Sequence, residues 1–541
     1  MIAVRKLSSA TRFDLVWLCC FAVGSSIWCL TAAARLGPTF DEPTYLRCGL
    51  EHWLTGSYKS MMRLGTMPLT IDVQTLPVYL LERWRNAALP FNEALQYARA
   101  ATLLFWWLLL AYVMCAGRLI AGAWAGRIAV ALIACEPLLL SHAALATSDV
   151  AVSACVLALA VEFYRARECA WPRRLVVPAV LYGLSILAKA SGLVFGPLCL
   201  LGIVIAKREQ PRRVIVDLAW IIGAGIALTF LYIGSDWTTE PTFVVWAQGL
   251  PAGKMRDVMV WTSEHLRIFT NAGEGLVQQI KHNIRGHGAF LLGKTYRRAI
   301  WFYFPLALTM KLTLPLLASI VVLAVARRAA LRNWACTIAA VLLVYSLTFR
   351  VQIGVRFILP LVVFLCVGVG AAAAIALRDS RGMQRTLLVA WFVVAISCSA
   401  FASFRVWPDA ICFTNKLWGG TANGYRVLSD SNYDWGQGLP DLRQWQKQHG
   451  ITELHVWYFG TDPSVNEPPL RQLPLHRILD QSVAEASQGK IVAVSTTLLY
   501  GTYTTAPGPA HEAAAFFRNL RPVDRTMTFL IYDFRDTKRM R

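Results

Sequence analysis

The sequence predicts a polytopic α-helical membrane protein that carries a small α/β domain at its C-terminus. Of its 541 residues, 56% are hydrophobic and 16% are charged, and the apolar residues are gathered into blocks, which is unusual for a soluble globular protein. After the last block the pattern changes to that of a soluble domain. We therefore predict a helical membrane part in residues 1–404 and a soluble domain in residues 405–541.

Eleven apolar runs have roughly the length needed to cross a bilayer. The first, about 20 residues long, exceeds a typical signal-peptide core and is predicted to remain as a membrane span. The sequence thus predicts about eleven transmembrane helices. The runs are residues 15–34, 100–117, 128–146, 150–164, 175–188, 191–206, 214–234, 301–326, 334–349, 357–377 and 386–404.

Lysine and arginine residues mark alternate loops between these runs. With a cytoplasmic N-terminus every cytoplasmic loop is basic, as in the Arg-rich segment 165–174, whereas the short opposite loop near 147–149 carries no positive charge. The positive-inside rule then places loops 35–99 and 235–300 and the C-terminal domain outside the cytoplasm. The excess of 53 Lys and Arg over 32 Asp and Glu is attributed to topology and contact with anionic membrane lipids rather than to nucleic acid.

Two segments outside the runs have patterns of their own. In the tail, residues 441–450 (DLRQWQKQHG) indicate an amphipathic helix that stops at Gly450, and residues 489–501 (GKIVAVSTTLLYG) indicate a buried strand. Loop 235–300 mixes Trp, Leu and Ile with Lys, Arg and His. That mixture fits helices lying in the membrane interface and an ordinary solvated loop equally well.

An acidic pair, Asp41 and Glu42, stands seven residues beyond the first run in the segment GPTFDEPTYL. Asp41 or Thr39 would make a good cap for a helix that starts at Pro43. Carboxylates near the outer membrane boundary are also suited to take a proton from an incoming hydroxyl. The residues alone leave both interpretations open.

A second acid, Asp149, directly precedes the fourth run in CEPLLLSHAALATSDVAV, residues 135–152. Thr147, Ser148 or Asp149 would serve as an ordinary helix cap. Glu136 is expected near the outer boundary, and an ionisable group at membrane depth is a functional candidate. His142 in the same segment is either a structural residue or a possible substrate contact.

Three cations complete the candidate chemistry. Lys189 lies between two short runs, where snorkelling to the interface would explain it, and Arg356 lies at an outer boundary. Lys311 lies well inside run 301–326, and a cation at that depth needs an anion, for which a lipid-linked phosphate is suitable. Acids beside cations can deprotonate a hydroxyl while stabilising a phosphate leaving group.

The segment DSNYDWGQ, residues 430–437, is rich in acids, amides and aromatic residues. This composition is common on carbohydrate-binding surfaces and equally common in turns that join two domains. Its possible substrate-binding residues are Asp434, Trp435 and Gln437.

Four elements, in this order along the chain, resemble the GT-C glycosyltransferases, which include the protein O-mannosyltransferases and the bacterial lipid A aminoarabinose transferases. The elements extend from the first loop into the tail, and they are more specific for the superfamily than for any substrate. They are FDEP (40–43), EPLLLSHAALATSDV (136–150), IGVRFILP (353–360) and NGYRVLSDSNYDWGQGLPDLRQW (423–445).

The resemblance implies inverting transfer of a sugar from a polyprenyl-phosphate carrier to a hydroxyl of a protein, lipid or polysaccharide, at the outer face of a bacterial inner membrane. In this scheme Asp41 is the general base, Glu42 orients the acceptor or the sugar, and Asp149 is a second acid in the same cavity. The donor phosphate would be bound by Lys311, Arg356 and Lys189.

Two features depart from the family pattern. The region after the acidic pair, GTMPLTIDVQTLPVYL (65–80), lacks the basic residue expected before a proline pair, and Phe357 stands where a histidine is expected. Related oligosaccharyltransferases use a divalent metal, but the first loop has no clear DxD motif and no cysteine pair has CxxC spacing. The sequence therefore leaves dependence on a divalent metal open, with no metal slightly favoured, and identifies no metal-binding residue and no certain cofactor.

A polytopic transporter or lipid flippase is the main alternative function. Transporters usually place charged residues near the midplane and often contain repeated halves, whereas here the acids are predicted at one face and no repeat is apparent. A catalytically inactive carbohydrate-binding protein is a third possibility.

Overall fold

The computed structural model describes residues 9–208, 211–267, 270–477 and 482–535, and most of them are helical. Every predicted apolar run coincides with one helix or with two consecutive helices. The helices up to the second long loop are α1 (Ser9–Ala33), α2 (Glu42–Thr55), α3 (Lys59–Arg63), α4 (Pro68–Arg85), α5 (Phe91–Ala121), α6 (Ala123–Ala134), α7 (Pro137–Ala143), α8 (Asp149–Ala166), α9 (Val177–Ala188), α10 (Gly192–Lys207) and α11 (Pro211–Ile233).

The second long loop is folded rather than extended. Three helices and a small antiparallel hairpin precede the last group of apolar helices. The elements are α12 (Pro241–Gln248), α13 (Lys254–His265), α14 (Thr270–Arg285), β1 (Ala289–Leu291), β2 (Lys294–Tyr296), α15 (Tyr303–Lys311), α16 (Leu314–Arg327), α17 (Trp334–Ser346), α18 (Leu359–Asp379) and α19 (Gly382–Val406).

Two predicted runs are each broken into two helices. Run 128–146 becomes α6 and α7, which meet at an angle of 70°, and run 301–326 becomes α15 and α16. The breaks contact each other, because the backbone N–H and hydroxyl of Thr313 donate to the carboxylate of Glu136 at 3.1 and 2.8 Å. Glu136 at the first break thus supplies the acceptor for the backbone N–H of Thr313 at the second break, which has no partner within its own helix.

Length and composition identify six described helical segments as able to cross a membrane. The bent pair α6–α7 would make a seventh, and α10 and α17 are apolar but shorter. The chain is therefore an integral membrane protein, and the total of about eleven crossings stays a prediction. The six are Arg12–Ala33, Phe91–Ala121, Val214–Ile233, Leu314–Leu331, Val355–Asp379 and Gly382–Val406.

The tail contains the predicted small α/β arrangement. Its five-stranded sheet has the order β4-β3-β5-β7-β6, in which β3 pairs in parallel with β4 and β5, while β7 is antiparallel to β5 and β6. The predicted amphipathic helix and its end near Gly450 are present. The strand predicted within residues 489–501 covers only Ile491–Ser495, because a short helix, Thr496–Leu499, follows it directly. The elements are α20 (Leu439–Gln448), β3 (Leu454–Trp457), β4 (Leu470–Gln472), α21 (Val483–Ser487), β5 (Ile491–Ser495), α22 (Thr496–Leu499), α23 (Pro509–Arg518), β6 (Asp524–Arg525) and β7 (Phe529–Asp533).

Candidate active site

Asp41 occupies the N-cap position of α2, but its side chain makes no capping hydrogen bond. Its Oδ2 instead lies 3.1 Å from Nη1 of Arg356, which precedes α18. The Asp41 side chain remains 24% exposed. The structure therefore favours an ion pair over the simple helix cap that the sequence left open.

Asp149 begins α8, and no side chain caps that helix either. Its Oδ1 accepts a hydrogen bond from Nζ of Lys189 at 2.5 Å, and its Oδ2 lies 3.8 Å from Nη1 of Arg356. The Asp149 side chain is fully buried. Arg356 thus lies between the two acids, so that two carboxylates and two cations from four separate elements form one charged cluster.

Aromatic rings enclose these cations. The Arg356 guanidinium lies 4.0 Å from the ring centre of Trp435, and Phe357 lies within 4.9 Å of both cations. Such contacts strengthen as water is excluded. Phe357, which replaces the histidine expected from the family pattern, therefore contacts the cluster through its ring face.

Glu42 points away from this cluster. Arg99 on α5 binds it with two hydrogen bonds of 2.8 and 2.7 Å, and the N–H groups of Thr39 and Ala146 donate to it at 2.8 and 2.7 Å. Burial by itself would raise the pKa of Glu42, but the charge and hydrogen bonds of Arg99 hold it below its ordinary value. These contacts replace the predicted contact of Glu42 with acceptor or sugar, because both of its oxygens are occupied by protein donors.

Lys311 also differs from its predicted role. Its Nζ is buried and donates to the carbonyls of Ile411, Phe413 and Asn432 at 2.6, 2.7 and 2.7 Å. An ammonium has three donors, and all three are used here. This arrangement argues against the predicted contact with the donor phosphate and gives Lys311 a role in attaching the segment after α19 to α15.

The segment that contains Trp435 packs directly against the acidic pair. The N–H groups of Gly37 and Phe40 donate to the carbonyls of Gln437 and Trp435, both at 2.9 Å. These bonds hold Trp435 beside Arg356, so the tail contributes one wall of the site.

The other two candidates in this segment serve its local structure. Asp434 accepts from the N–H groups of Thr497 and Gly436 at 3.1 and 3.2 Å, and burial raises its pKa to about 7. Gln437 bonds the backbone of Trp435 and Tyr433 at 2.8 and 2.9 Å. For Asp434 and Gln437 the structure favours the turn interpretation over a direct substrate contact.

Two further side chains adjoin the cluster. His142 is buried, and it lies close enough to Asp149 and Arg356 for their charges to act on it. Its Nδ1 has no hydrogen-bond partner in the described parts of the chain. Tyr45, one helical turn after Asp41, lies within electrostatic reach of the same groups. Sequence reasoning missed Tyr45 and Arg99, although the i to i+4 spacing from Asp41 placed Tyr45 on the same face of α2.

The acids of the cluster are paired with cations. Asp41 is paired with Arg356, and Asp149 is paired with Lys189. Among the described residues, no group of three or more His, Cys, Asp or Glu side chains is placed to hold a metal ion.

The helical bundle followed by the small tail sheet is a GT-C-like membrane-protein fold. A comparison with solved structures supports this assignment. The chain is similar to ArnT from Cupriavidus metallidurans bound to undecaprenyl phosphate, with a TM-score of 0.50 and 14% sequence identity over 95% of this chain and 97% of that one. The resemblance of fold predicted from the four sequence elements is thus confirmed.

Two further solved structures have lower scores. The Archaeoglobus fulgidus oligosaccharyltransferase in complex with Zn and sulfate matches at 12% identity and a TM-score of 0.45, over 92% of this chain and 71% of that one. Arabinofuranosyltransferase AftD from Mycobacteria matches at 13% identity and a TM-score of 0.43, over 88% of this chain and 35% of that one. No protein-family model and no curated protein sequence matches the chain.

Proposed function

We propose that the protein is a membrane glycosyltransferase, which moves a sugar from a polyprenyl-phosphate carrier to an acceptor hydroxyl. The observation that carries the proposal is the cluster in which Arg356 lies between a partly exposed Asp41 and a buried Asp149. One carboxylate is accessible to a substrate, and the other is held by Lys189. The GT-C fold and the undecaprenyl phosphate bound by ArnT support a lipid-linked donor.

In this proposal Asp41 is the general base. It takes the proton of the acceptor hydroxyl while that oxygen attacks C1 of the sugar. The bond from C1 to the phosphate oxygen breaks, and the phosphate leaves with the electron pair. A single displacement of this kind inverts the anomeric carbon, and a positioned base typically contributes about 10²–10⁴-fold to such a rate.

Arg356 is suited to stabilise the charge on the departing phosphate. A guanidinium has five N–H donors in a planar fork, and the Nε of Arg356 has no partner within the described residues. When Asp41 becomes protonated, Arg356 also loses one of its two anionic neighbours. The Arg356 guanidinium, which is then less neutralised by acids, can interact with the phosphate, and Lys189 is the neighbouring cation.

Glu42 acts in this proposal as a positioning residue rather than as a catalytic residue. Its carboxylate joins the start of α2 to Arg99 on α5 and to the N–H of Ala146, three residues before Asp149. It thereby fixes the spacing between Asp41 and Asp149. Positioning of this kind matters because small displacements of reacting groups are costly to the rate.

The test is sugar transfer by the purified full-length chain, with a radiolabelled polyprenyl-phosphate sugar and bacterial membrane acceptors. Asp41→Asn is expected to lower the rate by about 10²-fold or more, whereas Asp257→Asn, at an exposed acid of α13, is expected to leave it unchanged. Transfer unaffected by Asp41→Asn would remove Asp41 from the role of base. Substrate movement across the bilayer without a new glycosidic bond would favour the transporter alternative.

The sugar and the acceptor are to be identified in cells. Mass spectrometry of glycans and glycolipids, compared between wild-type cells and cells that lack the gene, is expected to show loss of one sugar from a protein, lipid or polysaccharide of the cell envelope. The anomeric configuration of that sugar, compared with the donor, tests inversion.

A further inference from the structure

A cleft of about 520 Å³ opens between the end of α14, the β1–β2 hairpin and the loop that joins α22 to α23. Residues 285–288 and Arg297 line one side, and residues from Thr502 to Pro507 line the other. We call this feature the cationic cleft. None of the candidate residues predicted from the sequence lines it.

The two arginines of the cationic cleft have no salt-bridge partner among the described residues. In the described ranges of the chain, no Asp or Glu oxygen lies within 4 Å of a side-chain nitrogen of Arg285, His287 or Arg297, whereas Arg99, Arg127 and Arg356 all have carboxylate partners. A concave surface with arginines that lack salt-bridge partners attracts anions. Arginine in particular suits phosphate oxygens, because its fork donates two parallel hydrogen bonds.

Two further basic residues lie near His287. Its N–H donates to the carbonyl of Arg350 at 2.9 Å, and the ring of His282 lies 4.9 Å from its own ring. Burial, followed by the charge of Arg285, lowers the pKa of His287.

A row of aromatic rings joins the cationic cleft to Asp41. Tyr503, in the wall of the cleft, lies 4.7 Å from the ring of Phe459, and Phe459 stacks on Phe40 at 5.3 Å. Phe40 directly precedes Asp41, and its carbonyl accepts from the hydroxyl of Thr461 at 2.8 Å. Tyr503 and Phe40 remain 48% and 37% exposed, so a substrate in the cleft would find apolar ring faces on the way to the proposed base.

We propose that the cationic cleft binds the phosphate group of a substrate, with Arg285 and Arg297 as the main donors. This inference rests on the proposed function, because it assigns a phosphate-bearing substrate to the site of Asp41. The phosphate belongs either to a phosphorylated acceptor or to the lipid carrier, and in the second case the cleft would replace Arg356 as the site of the carrier phosphate. Both sources present the same oxygens to the arginines.

Arg285 also lies in the last turn of α14, where a cation is favourable for the helix dipole. A purely stabilising role would make its removal lower the unfolding temperature without changing anion affinity. Measurements of affinity and of stability on the same variants separate these two roles.

The test is equilibrium binding to the full-length chain in nanodiscs of zwitterionic lipid. The probes are farnesyl phosphate, for the carrier, and glucose 1-phosphate, for a phosphorylated acceptor, with farnesol and glucose as uncharged controls. The variants are Arg285→Ala/Arg297→Ala and the charge reversal Arg297→Glu at an exposed position of the hairpin. Lys294→Ala, an exposed cation of the same hairpin outside the cleft, is the matched control.

We expect the wild-type chain to bind at least one phosphate probe, and both cleft variants to weaken that binding by roughly tenfold or more, with Lys294→Ala unchanged. Loss confined to farnesyl phosphate assigns the cleft to the carrier, and loss confined to glucose 1-phosphate assigns it to the acceptor. Wild-type affinity in both cleft variants, or no binding of either probe by the wild type, would overturn the proposal.

This outcome is independent of turnover. Asp41→Asn is expected to retain phosphate binding while losing sugar transfer. A chain that binds phosphate in the cleft yet transfers no sugar would contradict the proposed function and leave the anion site in place.

Discussion

Asp41 and Asp149 each stand at the first turn of a helix, where an acidic residue commonly caps the backbone, and neither does so. Their carboxylates instead bind cations that belong to other elements. Helix capping therefore does not account for these two acids. The sequence was sufficient to predict that Asp41, Asp149, Lys189 and Arg356 lie near one another, as they do in the structure. It was insufficient for Arg99, because no sequence pattern reveals that the partner of Glu42 lies 57 residues away.

The Glu42–Arg99 pair offers a prediction at this scale. Both side chains are fully buried, so Arg99→Met leaves a buried carboxylate without its partner and is expected to cost about 3–5 kcal/mol of stability. Thermal unfolding in detergent measures this loss. The double variant Glu42→Gln/Arg99→Met is expected to recover much of it, and a double variant no more stable than Arg99→Met would show that the pair does not act as a unit.

Asp434 gives a pH dependence. With a pKa of about 7 in the folded protein and about 3.9 when unfolded, the folded state binds more protons between these values. Its contribution therefore makes stability fall as pH rises from about 4 to 7 and then level off. Unfolding midpoints measured across this range should fall less steeply in Asp434→Asn than in wild type or in the exposed control Asp257→Asn. An unchanged slope in Asp434→Asn would contradict the assignment.

At the scale of elements, the site is built from helix starts and helix breaks. Hydropathy predicted runs 128–146 and 301–326 as continuous, because a single Glu136 or Thr313 hardly changes the average over a window of 20 residues. The structure breaks both runs where these two side chains meet. Lys311 ends α15 just before the second break, and for this reason its ammonium reaches backbone carbonyls of the segment after α19.

Lys311→Met tests this attachment. The substitution leaves three buried carbonyls without a donor, and each is expected to cost about 1–3 kcal/mol. We expect a lower unfolding temperature and faster proteolysis within residues 407–438, whereas Lys416→Met, at an exposed neighbouring lysine, should have little effect. If Lys311→Met instead keeps wild-type stability and binds farnesyl phosphate more weakly, the contact of Lys311 with the donor phosphate predicted from the sequence would be supported.

At the scale of the whole molecule, the order of apolar runs and the patterned tail were enough to predict a helical membrane part followed by a small sheet. The packing of the tail against the site was not predictable, because it depends on backbone hydrogen bonds such as that from Phe40 to Trp435, which join residues distant in sequence. Since Trp435 contacts Arg356, the tail and the helical part both contribute to the charged cluster.

Topology is the prediction that belongs to this scale. Cysteines introduced at Lys294 in the hairpin and at Lys447 on α20 are expected to react with a membrane-impermeant maleimide added to intact cells. A cysteine at Arg381, before α19, should react only after the cells are opened. Labelling of Lys447→Cys only from the cytoplasmic side would reverse the predicted orientation and place the charged cluster on the inner face.

The most direct measurement of the central claim is the single-turnover rate of sugar transfer by Asp41→Asn, with donor already bound to the enzyme. If Asp41 takes the proton of the acceptor hydroxyl, this rate falls by about 10²-fold or more, while donor affinity and unfolding temperature stay close to those of wild type. A single-turnover rate equal to wild type would contradict the account.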